Sequence, residues 1–177
     1  MKLLLFSGSL RLGSYSTAIV NTLENMAKEG VVQDISLLPF FNPDLDIHTL
    51  EEDNSPQEVV TFRNRVREAD VFVICTPEYA HQMPGVLKNA LDWLVSSDAI
   101  VAKPTVVISS STSAMGGDKA HAQLVALLKI ISQNVLEDAS LIVSRVNKKI
   151  DEDGNVFDEG LMTEFKDLID KLESVND

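Results

Sequence analysis

Five short apolar runs alternate along the chain with stretches whose apolar residues recur every three or four positions. Lys2 to Ser7 predicts a first buried strand. Tyr15, Ala18, Ile19, Leu23, Met26 and Ala27 follow helical spacing, so a helix is expected from about Ser14 to Lys28. Val31 to Leu38 alternates as a second strand, and an irregular acidic loop broken by Pro39 and Pro43 extends to Asn54. Ser55-Pro56-Gln57-Glu58 then opens a helix, with serine placed to cap, proline at the first helical position and glutamate three residues after the cap. Asp70 to Cys75 predicts strand three, Pro84 to about Ser96 a helix, and Pro104 to Ser109 strand four. The helix carrying Leu124, Val125, Leu127, Leu128, Ile130 and Ile131 has an apolar face too wide for a lone surface helix. Leu136 to Val143 predicts strand five, Asp153-Gly154 a turn, and Leu161, Phe165, Leu168 and Leu172 a last helix.

Strands spaced by helices imply an α/β three-layer sandwich, a parallel sheet covered on both faces. Right-handed crossovers leave few topologies, of which the strand order 2-1-3-4-5 is the simplest. No internal repeat or interdomain linker interrupts the pattern, so residues 1–177 are expected to form a single domain. In that order the loops after strands one and three face each other across a crevice, which is where open parallel sheets bind ligands.

Charge narrows the ligand. The net charge is −12, with seven carboxylates and no Lys or Arg between Asp34 and Glu58, and a net −8 between Asp151 and Asp177. Both crevice loops therefore lie in a remainder of net +3. Nucleic acid, which is bound by lysine and arginine neutralising phosphates, is excluded as a partner. No window approaches the ~20 apolar residues of a membrane span, so no membrane partner is expected. The apolar start at Met1 to Phe6 reads as a strand, being shorter than a signal peptide's core of roughly 7–15 residues. A lone cysteine, Cys75, agrees with a cytoplasmic location and reads as inert packing.

The first loop, Ser9-Leu10-Arg11-Leu12-Gly13-Ser14, runs into a helix N-terminus, where free amides, serine hydroxyls and Arg11 favour a phosphate. The alternative is an ordinary loop in which Ser14 simply caps the helix. It is not a nucleotide-triphosphate loop, because Ser14 stands where that motif needs lysine. The second loop, beginning Pro77-Glu78-Tyr79, offers aromatic and proline surface for a flat ring, with Gly85 and Gly116-Gly117 permitting close backbone approach. The alternative again is packing, which is the preferred reading for Trp93, placed at a subunit contact. His48, His81 and His121 have no metal-ligand spacing, so no metal site is expected. His48 is expected to be solvated and His121 to lie on a helix surface. No Ser-His-Asp or cysteine nucleophile can be assembled.

GSLRLGSYS together with TPEYAHQMPGVLKNALDW resembles the NAD(P)H-dependent FMN reductase family, flavodoxin-like flavin, quinone, azo-dye and chromate reductases. The resemblance covers nearly the whole chain. It implies FMN as cofactor and NADPH or NADH as co-substrate. The FMN phosphate maps onto Ser9, Arg11 and Ser14, and onto Ser16, where the family commonly has asparagine. The isoalloxazine ring maps onto Pro77, Glu78 and Tyr79, and onto Ala80, where this chain again departs from an asparagine. The loop Ser110 to Gly117, with its Gly116-Gly117 turn, resembles a third flavin-contacting segment. It further implies a small-molecule electron acceptor (quinone, azo compound, free flavin or metal oxyanion) and a homodimer or homotetramer using the helices at Pro84 and His121. Hydride transfer at the flavin requires no catalytic side chain. A non-enzymatic flavodoxin-like electron carrier and a flavin-free relative binding another phosphate remain the alternatives.

Overall fold

Leu3, Leu5 and Phe6 are sealed completely from solvent, which a strand achieves only when both faces of its sheet are covered. The computed structural model describes residues 1–49 and 52–175. Its strands are β1 (Lys2–Ser7), β2 (Glu29–Gln33), β3 (Val71–Pro77), β4 (Thr105–Ser110) and β5 (Leu141–Val143). The helices are α1 (Tyr15–Met26), α2 (Gln57–Glu68), α3 (Gly85–Val95), α4 (Asp118–Ile131) and α5 (Glu159–Val175). The strands pair in parallel in the order β2-β1-β3-β4-β5, as expected from the sequence. Alternate side chains divide the core. Leu4, Phe6, Phe72 and Val107 meet Phe62, Leu91 and Leu128 of α2, α3 and α4. Leu3, Leu5, Val73 and Ile108 meet Ile19, Leu23, Phe165 and Leu172 of α1 and α5.

Several boundaries differ from expectation, among them β2, which begins at Glu29, and β3, which runs on to Pro77. β2 ends at Gln33 although Ile35 and Leu38 remain buried, so the apolar alternation there reflects burial in a loop and not continued pairing. β5 begins only at Leu141, because Glu137–Ala139 winds into a 3-10 turn. At α2, Pro56 occupies the cap position and Ser55 makes no capping bond.

Ser55 serves a buried arginine instead. Arg63 of α2 donates from Nη1 to Ser55 Oγ (3.0 Å) and Asp53 Oδ2 (3.1 Å), and from Nη2 to Asp46 Oδ1 (2.7 Å). Its Nε reaches the Trp93 carbonyl at 2.9 Å, and its guanidinium lies 5.9 Å from the Trp93 ring centre. His48 joins this network rather than being solvated: Nδ1 lies 3.2 Å from Asp46 Oδ1 and Nε2 2.7 Å from the Ser96 carbonyl. Nearby, Asn89 clamps the loop by accepting from Phe41 N and donating to the Pro39 carbonyl. Trp93 Nε1 donates to the same carbonyl, and the indole is fully buried within its own chain, not held for a subunit contact. The acidic loop is thereby fastened to α2 and α3.

Removing Arg63 leaves Asp46, whose side chain is 7 % exposed, without its partner. Arg63→Ala is expected to cost about 3–5 kcal/mol in urea unfolding. Burial alone would raise the Asp46 carboxyl, but hydrogen bonds from Arg63 and Ser96 and the arginine charge outweigh it and hold it low; Asp53 is likewise lowered. Their stabilisation is therefore present above the ordinary carboxylate range, about pH 4, and lost as pH falls through the lower folded values. The urea midpoint should drop on acidification more steeply in the wild type than in Arg63→Ala.

Candidate functional site

The first loop lies flat against β3. The Gly8 amide donates to the Cys75 carbonyl at 2.8 Å, and a Cβ there would stand 3.0 Å from Leu87 Cδ2. Ser9 Oγ accepts from Arg11 N at 3.2 Å, folding the loop back on itself. Gly13, with φ +66°, turns the chain into α1, where Ser14 Oγ accepts from Thr17 N. No acidic residue occupies the first turn of α1, so its positive end is uncompensated.

The second loop is a tight two-residue turn. Tyr79 and Gln82 exchange both backbone hydrogen bonds at 3.0 Å, with Ala80 at φ 50° and His81 at φ 63°. Both central residues are left-handed without being glycine or asparagine, an arrangement that costs energy and is held by its surroundings. Glu78 supplies part of that hold. Its Oε2 accepts from Lys119 N (3.0 Å) and Ala120 N (3.1 Å) at the start of α4, and its Oε1 lies 3.2 Å from His81 Nδ1. Gln123 of α4 donates to the His81 carbonyl at 3.3 Å.

The loops converge. Tyr79 Oη and Ser9 Oγ are 3.2 Å apart, and Ser16 Oγ and Ser110 Oγ 2.9 Å apart, joining the loop after β3 to that after β1, and the start of α1 to β4. Between them is a cleft of about 160 Å³ that brings together Ser9, Arg11, Ser14, Ser16, Pro77, Glu78, Tyr79 and Ser110. Ala80, Gly116 and Gly117 lie outside its walls. Gly116 answers to packing, since a Cβ there would meet Ile142 Cγ2 at 2.5 Å. Gly117, at φ +84°, leads into α4 beside Glu78. Gly85 has open space around its Cβ position.

Four further residues line the cleft. Tyr15 follows the capping serine, Ser111 and Thr112 belong to the Ser110 to Gly117 loop already singled out from the sequence, and Val146 carries no sequence signal. Larger hollows of about 610 and 640 Å³ open beside α1 and beside His48, but their walls carry Asp151, Glu152 and Asp153, or Glu52, Asp53 and Asp98. Carboxylates of that density disfavour an anion. Beneath the cleft the Cys75 thiol is pushed up to about 12 by burial, against the lowering effect of Ser16 and Ser110. His121 is half-buried rather than on the surface, and burial lowers its pKa. Among the described residues no group of three His, Cys, Asp or Glu is placed to hold a metal, and no helix is long and apolar enough to cross a membrane.

This sheet order with a hydroxyl-lined crevice at its reversal point is that of flavodoxin-like flavoenzymes. Residues 1–148 match the family model described as NADPH-dependent FMN reductase. The chain is 31 % identical over 176 residues to a probable NADPH:quinone oxidoreductase of Oryza sativa subsp. japonica, covering 95 % of this chain and 85 % of that protein. It is 31 % identical over 164 residues to an NAD(P)H-dependent FMN reductase of Pseudomonas aeruginosa, covering 90 % and 86 %. The solved structure of the flavoenzyme FerB, an NAD(P)H:(acceptor) oxidoreductase from Paracoccus denitrificans, superposes with a TM-score of 0.75 at 25 % identity, covering 97 % and 94 %. The chain thus belongs to the NADPH-dependent FMN reductase family of oxidoreductases.

Glu78 acts across the fold as the cap of α4. Glu78→Ala should lower stability by about 1 kcal/mol in thermal or urea unfolding, the usual cost of a lost helix cap.

Proposed function

We propose that the chain, as one domain, uses NADPH or NADH to reduce a small-molecule acceptor through FMN held in the crevice between the β1 and β3 loops. The observation that carries this reading is the Ser9–Tyr79 hydrogen bond, which joins an anion-type loop to a ring-type loop in one cleft. The donors present fit FMN. The uncompensated start of α1, the hydroxyls of Ser9 and Ser14, and the exposed guanidinium of Arg11 suit a phosphate. Ser16, paired with Ser110 at 2.9 Å, adds a further hydroxyl to the cleft lining. Pro77 and Tyr79 give the flat surface a flavin ring needs, with Ala80 and the Gly116-Gly117 turn flanking it.

Bound FMN supplies the two-electron relay between nicotinamide and acceptor. The chain's own residues bind the phosphate, orient the ring and keep water from its protein-facing side. Quinones, azo compounds, free flavins and metal oxyanions are the proposed acceptors. A cytoplasmic location is proposed as well, supported by a single buried free thiol. We also propose a homodimer or homotetramer, supported by exposed Val95 at the end of α3 and Ile130 on α4. Light scattering at micromolar concentration should report an oligomer; a clean monomer would refute it.

Purified protein should be yellow, and anaerobic NADPH or NADH should bleach it rapidly. A yellow form that persists would instead mark an electron carrier, and a colourless protein that ignores FMN would end the flavin reading. Arg11→Ala should weaken FMN binding by about 1.5–3 kcal/mol, the worth of a charge-assisted hydrogen bond. Unchanged affinity removes Arg11 from the site.

A further inference from the structure

We propose that His81, oriented by Glu78, is the proton donor to the acceptor during its two-electron reduction. The inference rests on the FMN reductase reading above and adds a catalytic side chain to it.

The geometry leaves one ring nitrogen free. A carboxylate only accepts hydrogen bonds, so the His81 Nδ1 facing Glu78 Oε1 at 3.2 Å must carry a hydrogen. Nε2 is then an acceptor in the neutral ring and a donor in the cation. Glu78 cannot rotate away freely, because its other oxygen is held by two amides of α4. The turn is also tethered through Gln123 to the His81 carbonyl. The result is a carboxylate–imidazole pair mounted on a strained turn: Glu78 lines the cleft, and the His81 side chain, outside the cleft's lining and 82 % exposed, is joined to it through that carboxylate. The charged group facing the ring is Glu78 of its own loop, which in turn accepts from Lys119 N at the start of α4, where Lys119 pairs with Asp118. Exposure gives the ring direct exchange with bulk water.

The chemistry calls for such a group. Reducing a quinone to a hydroquinone consumes NAD(P)H, the quinone and one proton. The nicotinamide supplies two electrons and one proton as a hydride equivalent; the second proton must come from elsewhere. The His81 imidazolium gives it: the Nε2–H bond breaks, an O–H bond forms on the acceptor oxygen, and the neutral ring takes a proton back from water. Tyr79 is less suited, since its hydroxyl is engaged with Ser9.

The test is His81→Asn, chosen because asparagine tolerates the positive φ of this position. A quinone is compared with ferricyanide, which takes one electron and no proton. The quinone-to-ferricyanide turnover ratio should fall about 10²-fold, the lower range for general acid catalysis, and added imidazole should partly restore it. FMN affinity, read by fluorescence quenching on the apoprotein, should stay at the wild-type value, and the wild-type ¹⁵N imidazole spectrum should show an Nδ1–H ring. An unchanged ratio, or an Nε2–H tautomer, would overturn the role. A wild type that reduces neither acceptor with NADPH or NADH would instead defeat the FMN reductase reading, and this inference with it.

Discussion

The reversal of strand order at β1 is the constraint on which the site depends. β2 lies on one side of β1 and β3 on the other, so α1 crosses one face of the sheet while α2 crosses the opposite face. The carboxyl ends of β1 and β3 are adjacent, yet no helix bridges them directly. Their loops are free to approach, and two hydroxyl pairs, Ser9–Tyr79 and Ser16–Ser110, draw the walls of the cleft together. Each wall has its own support. Gly8 presses the first loop onto β3, and Glu78 binds the second to α4.

Around this centre the carboxylates are sorted by role. Asp46 and Asp53 turn inward to a buried arginine, and Glu78 faces a helix N-terminus. Asp151, Glu152 and Asp153 line a neighbouring hollow that also takes in Ser14 and Tyr15, but the cleft's own lining holds one carboxylate, Glu78. The strongly negative protein therefore keeps a region where a phosphate group is not repelled.

Much of the architecture was legible beforehand, because β1 and β3 are buried on both faces and read as unbroken apolar runs. The strand ends were less so. Ile35 and Leu38 are buried in a loop, and local pattern reports burial without reporting pairing. The cleft residues on the first two loops were readable from their position after strands. The turn at Ala80 and His81 was not, since neither residue advertises a left-handed backbone. Nor was the link from Glu78 to α4, or that from Ser55 to Arg63, because both are tertiary bonds that override local capping rules. Val146 enters the cleft wall only through the path of the chain after β5.

The position of Cys75 carries a consequence for durability. Quinone-type acceptors are electrophiles that alkylate thiolates, and an enzyme turning them over meets them at close range. The only sulfhydryl in the chain lies directly under the pocket floor, with no solvent contact and a proton it does not release near neutrality. Arylation of that thiol during turnover is thereby disfavoured.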